Sequence, residues 1–231
     1  MLGLGMGLHK HKQKQIVRNG LVLYLDGKDF SNSPPTSLWN DRSGLGNNAT
    51  PSGMAYTTSS GSDGVGGVVF DGVDDYVDCG NKPVFDFTGE FTLEYKMKQI
   101  NTATGWEWLI CKNIDSNSTQ GYMLAVDGGK ALRFAAGGSG VTVALTPQSN
   151  TMYHIFGVYK PSQYLKLVVN GVTTTKLTSP SSIIPDATNP LTIGRTMYYV
   201  STYFNHVSKL ARVYNRALTD TEILQNYNAS R

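Results

Sequence analysis

Apolar and polar positions alternate with a period of two along much of the chain, the spacing of half-buried strands. Residues 91–98, FTLEYKMK, are the cleanest case. Phe91, Leu93, Tyr95 and Met97 share one face; Thr92, Glu94, Lys96 and Lys98 share the other. This pattern predicts an antiparallel strand with one face on a core and the other, Glu94 included, facing water. Residues 21–25, LVLYL, are apolar on both faces and predict a strand inside a sandwich. Further strands are predicted at 68–70, 76–79, 106–112, 121–127, 131–135, 141–145, 152–159, 164–170, 172–178 and 191–195, with 51–67 as a surface connection.

The turns between them have matching chemistry. Asp71-Gly72 joins two β-prone runs, and Asn170-Gly171 suits a type I′ hairpin, which needs positive φ at both central residues. Near the C-terminus the period changes. Thr219 followed by Glu222 is a capping box, Leu218 and Ile223 fit a hydrophobic staple, and Ile223, Leu224 and Tyr227 form an apolar stripe. The result is one all-β domain over residues 20–231, closed by a short helix and preceded by an arm over residues 1–19.

Composition separates arm from body. The 231 residues carry 20 Lys and Arg against 17 Asp and Glu, a net +3. Lys10, Lys12, Lys14 and Arg18 precede residue 20 with no acid among them, so removing these four charges from +3 leaves −1 on the body. A body of that charge is not a nucleic-acid surface, and no apolar run is long enough to insert into a membrane. In the arm, Leu2, Leu4, Met6 and Leu8 alternate with glycines, a pattern that can add a strand to a partner's sheet edge; Lys10, Lys12 and Lys14 suit an acidic partner surface. Its charge follows the apolar stretch, the reverse of a secretory signal. His9 and His11 read as solvated. Cys79 and Cys111 read as free, buried thiols.

Candidate chemistry is sparse. Sugars bind where aromatic rings stack on C–H faces beside planar polar groups. Trp106, Tyr198, Tyr199 and Tyr203, with Arg133 and Asn205 as hydrogen-bonders, are the candidates, packing being the alternative role for each ring. His154 lies in a predicted strand without an evident base or nucleophile nearby and reads as a packed residue. Glu90 and Glu94 are the nearest approach to the paired acids of a glycosidase. There is no G-x-S-x-G elbow, phosphate-binding glycine loop or zinc spacing.

Several segments together resemble one family. FDGVDDYV (70–77), SLWNDRSGLGNNAT (37–50), the strand pair around Asn170-Gly171, LTIGR (191–195) and FNHVSKLARVYNRAL (204–218) are similar to the laminin-G-like, concanavalin A-like jelly rolls of lectins and glucanases, found also in phage virion proteins. The resemblance implies a jelly-roll β-sandwich with Trp39 anchoring its loop in the core. It implies a non-enzymatic, lectin-like structural or decoration protein of a phage particle, docked on other virion proteins through the arm, binding cell-surface glycans and open to self-association. A carbohydrate-binding module of a bacterial surface or secreted protein, and a degenerate glycan hydrolase, are the alternatives. Relatives hold calcium in the loop matching Asp41, Gly44 and Asn47; a self-bonded loop is the other reading. Lys209 stands where calcium-binding relatives carry an acid, which argues against calcium and suggests a Lys209–Asp41 pair.

Overall fold

The computed structural model describes residues 15–101, 105–113, 120–143, 145–178, 180–197 and 203–231. Among them are fifteen strands and one α-helix: β1 (Leu21–Asp26), β2 (Thr50–Ser52), β3 (Gly61–Ser62), β4 (Val68–Asp71), β5 (Tyr76–Asp78), β6 (Phe91–Gln99), β7 (Glu107–Asn113), β8 (Gly121–Val126), β9 (Leu132–Ala136), β10 (Ser139–Val143), β11 (Met152–Lys160), β12 (Tyr164–Val169), β13 (Val172–Thr178), β14 (Thr192–Ile193), β15 (Asn205–Tyr214) and α1 (Asp220–Ala229). The stretch expected to be a bare connection, 51–67, thus contributes β3 and most of β2. No helix of the described residues is long and apolar enough to cross a membrane.

The strands form two antiparallel sheets. The larger runs β13-β12-β11-β6-β15-β4-β3, with β1 also pairing β15; the smaller runs β10-β9-β8-β7-β14-β5-β2. Strand β15 is shared lengthwise: Asn205–Ser208 pair with β4, while Leu210–Tyr214 pair with β1. The Asn170-Gly171 turn has φ of 52° and 80°, as a type I′ turn requires.

Alternation fills the space between the sheets. Phe91, Leu93, Tyr95 and Met97 of β6 meet Tyr122 and Leu124 of β8 and Phe134 of β9, all completely or almost completely buried. Phe91 lies 4.8 Å from Tyr122, 5.2 Å from Tyr159 and 5.9 Å from Phe134, ring centre to ring centre. Each such side chain contributes about 1.5–3 kcal/mol by leaving water. Gly157 of β11 makes this fit possible: a Cβ there would lie 2.5 Å from the Phe134 ring. Trp39 is buried and donates its indole N–H to the Asp26 carbonyl at 2.9 Å, anchoring its loop as expected.

The helix is capped as read: the Thr219 hydroxyl accepts the Glu222 amide, and Glu222 returns to the Thr219 amide. Its inner stripe differs from the expected one. Leu224 is 49 % exposed, while Asn226 is fully buried. A polar residue occupies the inner face because α1 covers charged groups, described below. Residues 15–19, read as part of the arm, are fastened to the body. Val17 is buried, its N–H donates to Asn226 Oδ1 at 2.8 Å and its carbonyl accepts the Tyr214 hydroxyl at 3.2 Å. The apolar and lysine docking residues of the arm, Leu2 to Lys14, lie outside the described residues.

Candidate functional site

Alternation leaves the outer face of the smaller sheet to be filled. On β8 and β9, Met123, Ala125 and Ala135 point away from the main core and gather with Trp108 and Cys111 of β7 in a separate apolar cluster. A bulge at Leu109 makes this possible: Trp108 pairs with Ala125 and Ile110 with Leu124, so Trp108 and Cys111 share the outer face despite odd spacing. Cys79 belongs to the inner core, so the thiols lie on opposite sides of the sheet, and both are free.

Trp106 lies at the edge of this cluster, half-buried. Its ring stacks on fully buried Trp108 at 4.9 Å and 10°. Arg133 of β9 holds its guanidinium 6.0 Å from the Trp106 ring, and Gly128 in the β8–β9 turn leaves room for the indole, since a Cβ there would meet Nε1 at 2.9 Å. Arg133 Nε is buried without a hydrogen-bond partner among the described residues. An immobilised ring beside an unsaturated planar donor is the arrangement a sugar face requires.

The other candidates are placed less simply. Asn205 opens β15 in the larger sheet and donates to the Asp71 carbonyl at 2.7 Å. Its neighbour His206 pairs with Gln99, whose amide reaches Glu107 Oε2 at 3.2 Å, one residue from Trp106. Asn205 and half-buried Tyr203 therefore come to the same end of the sandwich as Trp106, but Asn205 lines a different hollow, of about 600 Å³, with Lys98, Ile100 and Val207. Tyr198 and Tyr199 lie outside the described residues.

The larger sheet's outer face holds what the alternation did not reveal. Glu94, expected in water, is completely buried beneath α1. Its Oε1 accepts Arg212 Nη1 at 2.6 Å and meets His154 Nε2 at 2.9 Å; its Oε2 accepts Asn226 Nδ2 at 2.8 Å. The Arg212 guanidinium lies 4.2 Å from the Tyr24 ring. Burial pushes the Glu94 carboxyl up, but Arg212 and His154 outweigh it and hold it below the ordinary carboxylate value. For His154 burial wins over Glu94, and its pKa falls below the ordinary histidine value. Period-two alternation separates two faces of a strand; it cannot say that a helix more than a hundred residues along the sequence will cover one of them. The spacing of Asn226, three residues after Ile223 and so on the inner side of α1, was the available signal.

The family model described as the Concanavalin A-like lectin/glucanases superfamily (Laminin_G_3) matches residues 71–224. The chain belongs to this superfamily. Among solved structures, Trypanosoma rangeli sialidase in complex with sialic acid aligns with a TM-score of 0.64 at 18 % identity, over 90 % of this chain and 32 % of the sialidase. The receptor-binding domain of a botulinum neurotoxin C/D mosaic serotype aligns with a TM-score of 0.64 at 12 % identity, over 91 % of this chain and 51 % of that one. A botulinum neurotoxin type C structure, whose cell entry depends on two ganglioside molecules, gives 0.62 at 13 % identity, over 93 % and 52 %. The chain thus spans about a third of the sialidase and about half of the toxin chains, and these likenesses bear on fold alone. No curated protein matches the chain.

In this concanavalin A-like chain the loop matched to calcium-binding relatives is self-bonded. Asp41 Oδ1 accepts the Tyr24 and Ser43 amides at 2.9 and 2.8 Å; Oδ2 accepts the Ser43 hydroxyl at 2.6 Å and the Asn47 amide at 2.9 Å. Four donors use the carboxylate's capacity. Asn47 turns its side-chain amide to the Val22 carbonyl, and Gly44 serves the turn at φ 96°. Asp41, Gly44 and Asn47 do not form an oxygen cage, because the loop's own amides take the carboxylate. Lys209 does not pair with Asp41; it pairs with Asp63 at 2.7 Å. A bulge in β15 moves it: Ser208 faces Met97 and Leu210 faces Lys96, with Lys209 between. Asp71, Asp74 and Asp75 place carboxylate oxygens within 4.8 Å of one another. Asp71 and Asp75 hold the hairpin itself, through the Val73 amide and through the Asp71 amide and Ser60 hydroxyl respectively.

Proposed function

We propose that this chain is a non-enzymatic, lectin-like surface module that retains glycans at the Trp106–Arg133 end of its smaller sheet. One observation carries the reading: a half-exposed indole fixed on a buried second indole, with an incompletely bonded guanidinium beside it. Against a hydrolase reading, the two nearest acids are committed elsewhere. Glu90 pairs with Lys160 at 3.1 Å, and Glu94 is sealed beneath α1 with Arg212. A glycosidase needs two carboxyl groups flanking one scissile bond. The ligands named for the sialidase and toxin structures are in keeping with glycan recognition on this fold.

The particle-borne part of the reading rests on the resemblance and on the arm. Its Leu-Gly alternation followed by lysines suits docking to other virion proteins, with display on the phage surface. A glycan array probed with the full chain and with Trp106→Ala tests the binding claim: retention by the full chain and its loss in the variant support it, and equal retention removes Trp106 from the site. Deleting residues 1–14 tests the arm: wild-type incorporation into particles by the shortened chain rules it out as the anchor.

A further inference from the structure

Where α1 ends, a cavity of about 310 Å³ opens on the outer face of the larger sheet. Its wall includes four cations, Lys28, Lys96, Lys209 and Arg212, against one carboxylate side chain, Asp26. Asp26 is engaged already: its Oδ2 accepts the Tyr24 hydroxyl at 2.8 Å and Arg42 Nη1 at 3.0 Å. Lys209 is paired with Asp63, and Arg212 with Glu94. Lys28 and Lys96 have no carboxylate partner among the described residues.

This crowding is built by the backbone. The β15 bulge aims Lys209 beside Lys96, its diagonal neighbour across the β6 pairing. The Lys28 stem lies across Gly66, where a Cβ would come within 2.9 Å of Lys28 Cγ. Lys96 donates to the Ser230 carbonyl past the end of α1, where the negative helix end favours a cation. Burial, and then the charges of Lys209, Arg212 and Lys28, hold Lys96 below the ordinary lysine value. Like charges gathered in a half-buried cavity repel one another until an anion shares the space. Two buried nitrogens add direction. Arg212, which lines the cavity, and His154 each keep a fully buried nitrogen, Nε and Nδ1, without a hydrogen-bond partner among the described residues. His154 lines an adjoining hollow of about 240 Å³ that shares Lys96, Met152 and Arg231 with the first and adds Asn170 and Tyr227.

We propose that this cavity binds a small anionic group, a sulfate, phosphate or carboxylate, with the adjoining hollow taking the sugar-sized body that carries it. The anion offsets the repulsion among Lys28, Lys96 and Lys209, and the Lys28 and Lys96 ammonium groups supply charge-assisted donors. The site stands on the opposite sheet from Trp106 and does not depend on glycan binding there.

The test is an amide-resolved NMR titration of the full chain at low salt with inorganic sulfate, inorganic phosphate and glucuronate, and with glucose as the neutral control. Saturable shifts centred on Lys28, Gly66, Lys96, Arg212 and Ser230 are expected for at least one anion, with a millimolar or tighter dissociation constant, weakened by added salt. The preferred anion tells an ester from a carboxylate. Lys28→Ala and Lys96→Met should each weaken binding about fivefold, the size of one partly screened charge contact, while Lys130→Gln, at an exposed lysine on the β8–β9 turn, leaves it unchanged. Lys28 is exposed, so its variant keeps the test intact even where Lys96→Met fails to fold. No saturable shift with any of the three anions, shifts of equal size with glucose, or undiminished binding in Lys28→Ala overturns the proposal.

Discussion

The two outer faces of the sandwich are filled by opposite means. The smaller sheet covers its face with apolar side chains, Trp108, Cys111, Met123, Ala125 and Ala135, and leaves Trp106 half in water at the edge. The larger sheet buries a carboxylate, a guanidinium, an imidazole and a carboxamide in one hydrogen-bonded group under α1. An apolar face leaves a ring available for a ligand at small cost. A charged face must be covered with its opposite charges in contact, because an uncompensated buried charge costs several kcal/mol. The difference predicts where the molecule tolerates change: at Trp106 and not at Glu94.

The largest expected effect breaks the sealed face. Glu94→Gln removes the charge opposite Arg212 and should cost about 3–5 kcal/mol, read as a lowered urea midpoint. Glu94→Leu combined with Arg212→Met should recover a large part of that loss. A double variant no more stable than Glu94→Gln would mean the network does not act as a pair.

Acid should act on the sealed side and the inner core next. His154 is held below the ordinary histidine value, and His206, between Phe70 and Phe204 at 4.7 and 4.0 Å, is pushed by burial down to about 3. Both are depressed, so the stability they contribute is full above the unfolded histidine pKa of about 6.5 and is lost as pH falls below it. For His206 the loss between pH 7 and pH 4 is on the order of 3 kcal/mol. Glu94, depressed below its ordinary value, adds to the loss at still lower pH. Thermal melts should therefore fall steadily from pH 6.5 to pH 4. In hydrogen exchange α1 should open before β8 and β9, whose outer face carries no histidine among the described residues. A flat melting curve over that range contradicts the assignment.

A smaller effect separates arm from body. Removing residues 1–14 should leave the melting temperature unchanged. Removing 1–19 takes Val17 and its two bonds to Asn226 and Tyr214, and should cost about 2 kcal/mol, the worth of one buried valine. Equal melting of the two truncations would mean that Val17 does not hold α1 in place. Smallest of all, Trp106→Ala should cost about 1 kcal/mol, because its ring is only half-buried and stacks on one partner.

How far these regions were legible differs for a physical reason. The strand faces, the Asn170-Gly171 turn and the Thr219–Glu222 cap are local, and local spacing carries them. The sealed face is not local: Glu94, Arg212 and Asn226 are separated by more than a hundred residues from the first to the others, and Glu94 alone reads as a surface residue. Lys209 misled for a related reason. A gapless alignment assigns it to the acid's position, whereas the β15 bulge turns it to Asp63. Trp106 and Arg133 were legible as residue types, but their pairing depends on the β7 bulge and the β8–β9 turn. Asn205 has the right chemistry and reaches the same end of the sandwich, yet it lines the other hollow.

Trp106 offers the most direct test of glycan binding on the smaller sheet. The chain has three tryptophans, and Trp39 and Trp108 are fully buried, so Trp106 is the one a ligand can touch. A glycan selected on the array, titrated into the full chain with intrinsic tryptophan emission as readout, should give a saturable change. Trp106→Ala should abolish that change and weaken binding by calorimetry about tenfold, the equivalent of about 1.4 kcal/mol. Binding by calorimetry with emission unmoved, or undiminished binding by Trp106→Ala, would contradict the account.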